Sequence, residues 1–249
     1  MYAKRLIAAT FAACLVVPAA FAQGVPAPAT PPVASVPVAA SAADAARLRW
    51  LDPAEFAPDA MFAKPPAAGS VEEQTDLARV RALIAAASPE RLVQARWDGE
   101  HEDPSAFSEA AGRDLTQLPA TMALLTAVED EVDRVVNTAK IHFARPRPYQ
   151  VDPGLPHCGK GKTELRGYPS GHAGLGWSTA WTLVRLLPAR APALLARAQD
   201  YALSRQLCGS HFSFDLDASH AMAVLAADRL LTDPRLAAQV AAARAELSH

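Results

Sequence analysis

From Ser70 onward, apolar residues recur at intervals of three and four, the spacing of one face of an α-helix. Ser70-Val71-Glu72-Glu73 reads as a capping box, in which a serine hydroxyl and a glutamate carboxylate satisfy the first free amides of a helix. The helix it opens carries Leu77, Val80, Leu83 and Ile84 on one face. Ser88-Pro89 starts a second helix, with proline at the first helical position, running to about Trp97. A long third helix follows Pro119. In it Met122, Leu125, Val128, Val132, Val135, Val136 and Ala139 recur at three and four, while Glu129, Asp130, Asp133 and Arg134 face elsewhere. Arg145-Pro146-Arg147-Pro148 ends it, because each proline pushes its predecessor out of the α region. Residues 149–168 show no period and are expected to form a loop. Further helices are expected from Ser170 to Leu187, where Trp177, Trp181 and Val184 share a core face, from Pro192 to about Leu207, from Asp215 to Leu231, and from Asp233-Pro234 to Glu246. Alternation of period two, the mark of a half-buried strand, is found nowhere. The expected fold is all-α, a compact single-domain helical bundle.

The N-terminal pattern is of another kind. Lys4 and Arg5 precede a largely apolar run from Leu6 to Val17, and Ala20-Phe21-Ala22 places small residues where a signal peptidase inspects the chain. Residues 1–22 therefore read as a signal peptide, residues 23–46 as a Pro/Ala-rich disordered linker, and residues 47–249 as the folded domain. Cys14 leaves with the signal, so export to the periplasm leaves Cys158 and Cys208 as an even pair in an oxidising compartment, where one disulfide is expected.

Composition narrows the function classes. With 51% apolar residues in 249 the chain can build a sizeable core, but aromatics reach only 6%, so Ala, Leu and Val must fill it. The formal net charge is −2 and falls to −4 once Lys4 and Arg5 are removed, which argues against a nucleic-acid partner. Beyond the N-terminal run no stretch approaches the roughly 18 apolar residues of a membrane span, so no polytopic membrane protein is expected. A homo-oligomer is compatible with the sequence.

Three segments collect groups suited to phosphate. Lys140-Ile-His-Phe-Ala-Arg-Pro-Arg147-Pro148 brings cations, with Arg able to make planar bidentate bonds to phosphoryl oxygens. It can equally be a basic loop, and Arg145 has no argument beyond its position. Pro169-Ser170-Gly171-His172 opens a helix whose first amides lack carbonyl partners, so it can receive an anion, with Gly171 allowing close approach. An N-cap serine beside a surface histidine is the bland alternative. Ser204-Arg205, then His211 and Asp215, set a carboxylate four residues after a histidine, where it can fix the imidazole tautomer and free the other nitrogen to attack. Such a pair can also be a metal site or a surface hydrogen bond, although no ligand cluster of familiar spacing accompanies it. Core or surface roles are expected for His142, His157 and His220.

In this order and spacing the three segments, K-x6-R-P, P-S-G-H and S-R-x5-H-x3-D, resemble the signature of the type 2 phosphatidic acid phosphatase superfamily. Gly167-Tyr168-Pro169-Ser170-Gly171-His172 and Leu207-Cys208-Gly209-Ser210-His211 are similar to its soluble branch, the class A bacterial non-specific acid phosphatases. The resemblance covers about residues 120–245 strongly and 47–119 loosely. Ala173 stands where those enzymes often carry Thr, and Ser210-His211-Phe212-Ser213-Phe214 replaces their usual Tyr-His-Trp context, both affecting the pocket wall.

The resemblance implies a metal-independent acid phosphatase, with no cofactor, that hydrolyses small phosphomonoesters and is inhibited by its product, inorganic phosphate. His211 would be the nucleophile, Asp215 would orient it, and His172 would be the general acid and then the base. Lys140, Arg147, Ser170, Gly171 and Arg205 would hold the phosphate oxygens. A vanadium haloperoxidase and a lipid or pyrophosphate phosphatase share such a site. From a different class, a non-catalytic phosphate-binding helical protein would need neither His172 nor Asp215.

Overall fold

The computed structural model describes residues 47–159 and 165–248. The expected signal peptide at 1–22 and linker at 23–46 lie outside the described residues. Among those described there is no strand, and the all-α expectation holds. No helix among them is long and apolar enough to cross a membrane.

The principal helices are α1 (Val71–Ala86), α2 (Pro89–Glu100), α3 (Pro119–Phe143), α4 (Gly171–Leu186), α5 (Ala191–Leu207), α6 (Ser213–Thr232) and α7 (Ala237–Leu247). α4 is the central element, packed by α3, α5 and α6, and its residues from Ala173 to Ala180 are all buried. A helix covered on every side needs apolar and small residues all round rather than one stripe, and Gly174, Leu175, Gly176, Ser178 and Ala180 supply them. Its first turn therefore emerges from the middle of the bundle, which places Gly171 and His172 at the floor of a cleft.

α3 carries the expected stripe. Leu125, Val128, Val132, Val135, Val136 and Ala139 are buried, and Met122 is half-buried. The start of the helix is capped from the far end of the chain, where the Glu246 carboxylate on α7 accepts from the Ala120 and Thr121 amides at 3.1 and 2.7 Å. Its middle holds a buried Glu131 that accepts from the amides of Arg49, Trp50 and Leu51 at 2.7–3.1 Å. These three charge-assisted bonds all fall on Oε1, while Arg134 Nε lies 3.8 Å from Oε2, and the three bonds fasten the start of the described chain to the bundle. The helix ends at Ala144, with φ 44° in the left-handed region. Arg145 and Arg147, each followed by a proline, then continue outside the helix as expected.

The start of α1 departs from a full capping box. Ser70 accepts from the Glu73 amide at 3.2 Å, but one Glu73 oxygen accepts from the Gly69 amide at 2.7 Å and the other pairs with Arg145 at 2.8 Å. Glu73 and Arg145 are both buried, and the Arg145 guanidinium also lies 4.9 and 4.0 Å from the ring centroids of Phe212 and Phe214. Arg145 thus pins the Arg-Pro-Arg-Pro segment to α1 and to the entry of α6. In α1 itself Leu77, Val80 and Ile84 are buried, whereas Leu83 turns to a small separate cluster around Ala95, Leu207 and Cys208.

α2 runs three residues beyond the expected Trp97, to Glu100. Asp98 in its last turn is fully buried, forms a bidentate pair with Arg197 on α5, and accepts from the Ser204 hydroxyl. The stretch 104–117 holds short turns (Pro104–Phe107, Ser108–Ala111, Leu115–Gln117) that no periodicity signals, and the expected loop at 149–168 begins with one helical turn, Pro148–Val151.

Candidate active site

The three motif segments meet where the C-terminal ends of α2, α3 and α5 approach the start of α4. Lys140 and Arg205 lie in the last turns of α3 and α5, Arg147 caps the turn Pro148–Val151 and His211 precedes α6. A cleft of about 500 Å³ is lined by Lys140, Arg147, Gly171, His172, Arg205 and His211. Ser170 and Asp215 stand one layer behind it, both fully buried. All eight expected catalytic and phosphate-binding residues therefore gather in one place, two of them as supports of the wall.

Ser170 is the N-cap of α4, its hydroxyl accepting from the Ala173 amide at 3.3 Å. Its own amide donates to Ser219 Oγ at 2.8 Å, so the cap is bolted to α6. Gly171 and His172, whose amides lack helical carbonyl partners, line the cleft at the positive end of the helix dipole.

His211 is buried with both ring nitrogens engaged. Arg147 Nη1 lies 3.0 Å from Nε2 and can only donate, so Nε2 carries the lone pair and Nδ1 the proton. The Nδ1 proton faces two acceptors: the Gly167 carbonyl at 2.7 Å and Asp215 Oδ2 at 3.3 Å. Asp215 is thus not the sole orienter that the motif suggests. Its Oδ2 also accepts from the Phe212 amide at 2.8 Å, fixing the carboxylate across the first turn of α6. The Gly167 carbonyl is the nearer partner, and Gly167 must lack a side chain, because a Cβ there would lie 2.6 Å from the Pro146 carbonyl oxygen. Burial, followed by the charges of Arg147, Lys140 and Arg205, pushes the His211 pKa well below the usual imidazole value, so the ring stays neutral in acid. Burial also pushes the Asp215 carboxyl up, against the Phe212 amide and Arg145.

The cations, Arg205 buried and Lys140 and Arg147 half-buried, are only partly spent. Arg205 Nη2 donates to Ser210 Oγ at 3.3 Å, whereas its Nε and Nη1, together with Arg147 Nε, are buried without a hydrogen-bond partner. Gly99 on α2 allows Arg205 this position, since a Cβ at Gly99 would lie 2.5 Å from Nη1. Lys140 is lowered to about 8, first by burial and then by the charge of Arg147, and remains charged at acid pH. Arginine groups held in a wall with unspent N–H donors form a socket for an anion.

His172 is the second residue of α4. Its Nδ1 lies 2.8 Å from Glu102 Oε1 and its Nε2 3.2 Å from the Gly99 carbonyl oxygen. Burial lowers its pKa, with the Glu102 hydrogen bond opposing. Ser210, in the segment expected at the pocket wall, lines the cleft, as do Gly99, Glu102 and Arg166, which no sequence motif marks. The Gly167 carbonyl, Gly99 and Glu102 leave no signal, because they act through the backbone or from a segment without a motif.

Cys158 and Cys208 form the expected disulfide, which with the Cys158 amide bonded to the Cys208 carbonyl at 3.2 Å ties the segment after Pro148 to the turn before His211. Of the remaining histidines, His142 pairs with Asp59 on the surface and His220 stacks on Trp177 at 3.5 Å. Among the described residues no group of three or more His, Cys, Asp or Glu side chains could hold a metal ion.

A family model described as the PAP2 superfamily matches residues 114–233, which contain every motif residue. The chain is 31% identical over 199 residues to the non-specific acid phosphatase of Providencia stuartii, covering 76% of this chain and 80% of that protein. It is 33% identical over 172 residues to an acid phosphatase of Zymomonas mobilis, covering 65% of this chain and 64% of that protein. Over a shorter stretch of 114 residues it is 32% identical to the non-specific acid phosphatase of Salmonella typhimurium.

Proposed function

The chain belongs to the PAP2 superfamily, and from that membership and the chemistry of the cleft we propose that it is an exported acid phosphatase that hydrolyses phosphomonoesters through a phosphohistidine. The observation that carries the reading is the convergence of three cations, buried Arg205 and half-buried Lys140 and Arg147, the two arginines with unspent donors, on a neutral histidine whose lone pair faces the same cleft. Export is supported by the Cys158–Cys208 disulfide.

The steps follow from the geometry. A phosphomonoester enters with its non-bridging oxygens on Lys140, Arg147, Arg205 and the amides at the start of α4. Arg147 moves its Nη1 proton from His211 Nε2 to a phosphoryl oxygen, which uncovers the lone pair. Nε2 attacks phosphorus, the P–O bond to the alcohol breaks, and His172 gives its proton to the departing oxygen. The positive charge gained by the phosphorylated ring is met by the Gly167 carbonyl and Asp215 on Nδ1. Neutral His172 then takes a proton from water, which attacks phosphorus, and inorganic phosphate and free His211 are regenerated. The three cations stabilise the charge on the transferring group throughout, so no step calls on a metal.

The direction of the two histidine shifts sets the pH window. His211 must be neutral, so activity falls as pH drops through its pKa, and His172 must be charged, so activity falls as pH rises through its pKa. Burial lowers both, and His211 further, so the bell in kcat/KM lies on the acid side of the ordinary imidazole range. Hydrolysis of p-nitrophenyl phosphate and an alkyl phosphate across pH, with excess chelator, tests this. A neutral or alkaline optimum, or loss of activity on chelation, would reject it. Arg205→Ala is expected to lower kcat/KM by about 10²–10³-fold, as for loss of a preorganised donor to a developing oxyanion. Arg205→Lys is expected to recover little, because a point charge does not reproduce a planar fork.

A further inference from the structure

Glu102 lies in the loop after α2, outside every motif segment, yet its carboxylate contacts a motif histidine. We propose that Glu102 is a positioning residue for His172: its carboxylate holds the ring doubly protonated, so that the general acid is charged when substrate arrives. This rests on the phosphatase reading above and adds to it a residue that sets the proton inventory of the site.

The hydrogen-bond geometry makes the case. A neutral imidazole has one N–H, but both His172 nitrogens face oxygens that can only accept, Glu102 Oε1 at 2.8 Å and the Gly99 carbonyl at 3.2 Å. Only the imidazolium satisfies both. The Gly99 carbonyl belongs to the last turn of α2, where carbonyls lack helical partners and the dipole favours a cation. The other neighbours act against the charge or are neutral. Arg205 on α5 faces the ring and opposes protonation, and Tyr201 stacks at 6.0 Å with its hydroxyl committed to the His101 carbonyl. On α3, Lys140 attracts the Glu102 carboxylate and Asp133 faces it as a like charge, while Glu129, raised to about 7 by burial and neighbouring acids, is largely protonated in the acid range. Without Glu102, burial and Arg205 would leave the ring neutral at the start of a helix that also disfavours its charge.

Glu102 is also the partner that can give way. Its side chain is 52% exposed against 13% for His172, whereas Gly99 is fixed in a helix. When the leaving oxygen arrives, the carboxylate can release its hydrogen bond and turn to solvent, and His172 gives the Nδ1 proton to that oxygen instead. Glu102 also sits beside the anion site, since a Cβ on Gly171 would be 3.4 Å from Oε1 and 3.2 Å from Lys140 Nζ. A carboxylate there costs phosphate affinity, so its removal separates binding from turnover.

The test compares wild type, Glu102→Gln and Glu102→Asp in kcat/KM for ethyl phosphate against pH, with an NMR titration of the His172 ring. For Glu102→Gln the alkaline limb and the His172 titration are expected to move about one unit to lower pH, the direction expected when a carboxylate is lost beside an imidazolium. Inorganic phosphate should inhibit the variant more tightly while kcat falls, and Glu102→Asp should bring the limb back toward wild type. An unmoved limb and titration in Glu102→Gln, even with lower activity or tighter phosphate binding, would overturn the proposal. A wild type that does not hydrolyse phosphomonoesters would overturn the phosphatase reading instead, and the NMR titration would still decide whether Glu102 holds the ring charged.

Discussion

His211→Ala abolishes turnover, with kcat/KM expected to fall by about 10⁴-fold or more, toward what the binding groups alone provide. The size of the loss follows from what stands around the ring. Gly167 offers a backbone carbonyl, Ser210 contacts Arg205, Asp215 is held behind by the Phe212 amide, and Arg147 is a cation. None of these presents a lone pair that could accept phosphorus in place of Nε2. The fold is expected to survive with a stability cost of about 1–3 kcal/mol, since removing the ring leaves one buried carbonyl and one carboxylate short of a partner. Circular dichroism and Tm separate that cost from the kinetic loss. The companion measurement is chemical. A phosphoramidate is labile in acid and persistent in base, so rapid quenching of wild type into base should leave labelled phosphate on His211, and quenching into acid should release it. Label on a serine, or none after the base quench, would contradict a histidine nucleophile.

Much of this arrangement was legible in the chain because it is carried by side-chain type and interval. The α3 stripe was readable because one face of a 25-residue helix repeats the same demand seven times over. The eight site residues are readable because the chemistry needs specific groups at fixed offsets: Lys140 and Arg147 at and just after the end of α3, Ser170, Gly171 and His172 at the start of α4, Arg205 near the end of α5, and His211 and Asp215 around the start of α6. What was not legible is what tertiary packing or the backbone provides. Gly99 and Glu102 reach His172 from a segment about 70 residues away, where neither periodicity nor motif distinguishes them. The Gly167 carbonyl has no side-chain signature, so the motif offers only Asp215 to orient His211. Arg145 had only its position to recommend it. Its function, tying the proline segment to Glu73 and to two aromatic rings, emerges only when α1 and α6 are brought together. The capping box at Ser70 was half right for the same reason, because Glu73 was drawn to Gly69 and Arg145 once Arg145 was buried beside it.

His172→Ala is expected to divide substrates by their leaving groups. An alkoxide is a poor leaving group and departs only as it is protonated, so alkyl phosphate hydrolysis should fall by about 10²–10⁴-fold, the usual worth of a positioned general acid. A p-nitrophenolate leaves without a proton, so formation of the phosphoenzyme from p-nitrophenyl phosphate should lose far less. In the proposed mechanism dephosphorylation uses the same ring as a base toward water, so the variant should accumulate phosphoenzyme and show a burst of nitrophenol followed by slow turnover. Its position makes the contrast sharp. His172 lies in the cleft with the phosphate cations, yet its two nitrogens are bound to Glu102 and Gly99, and no hydrogen bond joins it to His211. Removing it therefore leaves the Arg147–His211–Gly167 line intact, and the nucleophile keeps its tautomer. Single-turnover formation of phosphoenzyme from aryl and alkyl substrates, in wild type and variant, is the measurement. Equal losses on both would mean that His172 contributes to phosphate binding, because a group that only binds phosphate is indifferent to what departs from it. A loss confined to the alkyl ester, with a burst on the aryl ester, follows only if the proton travels from this ring.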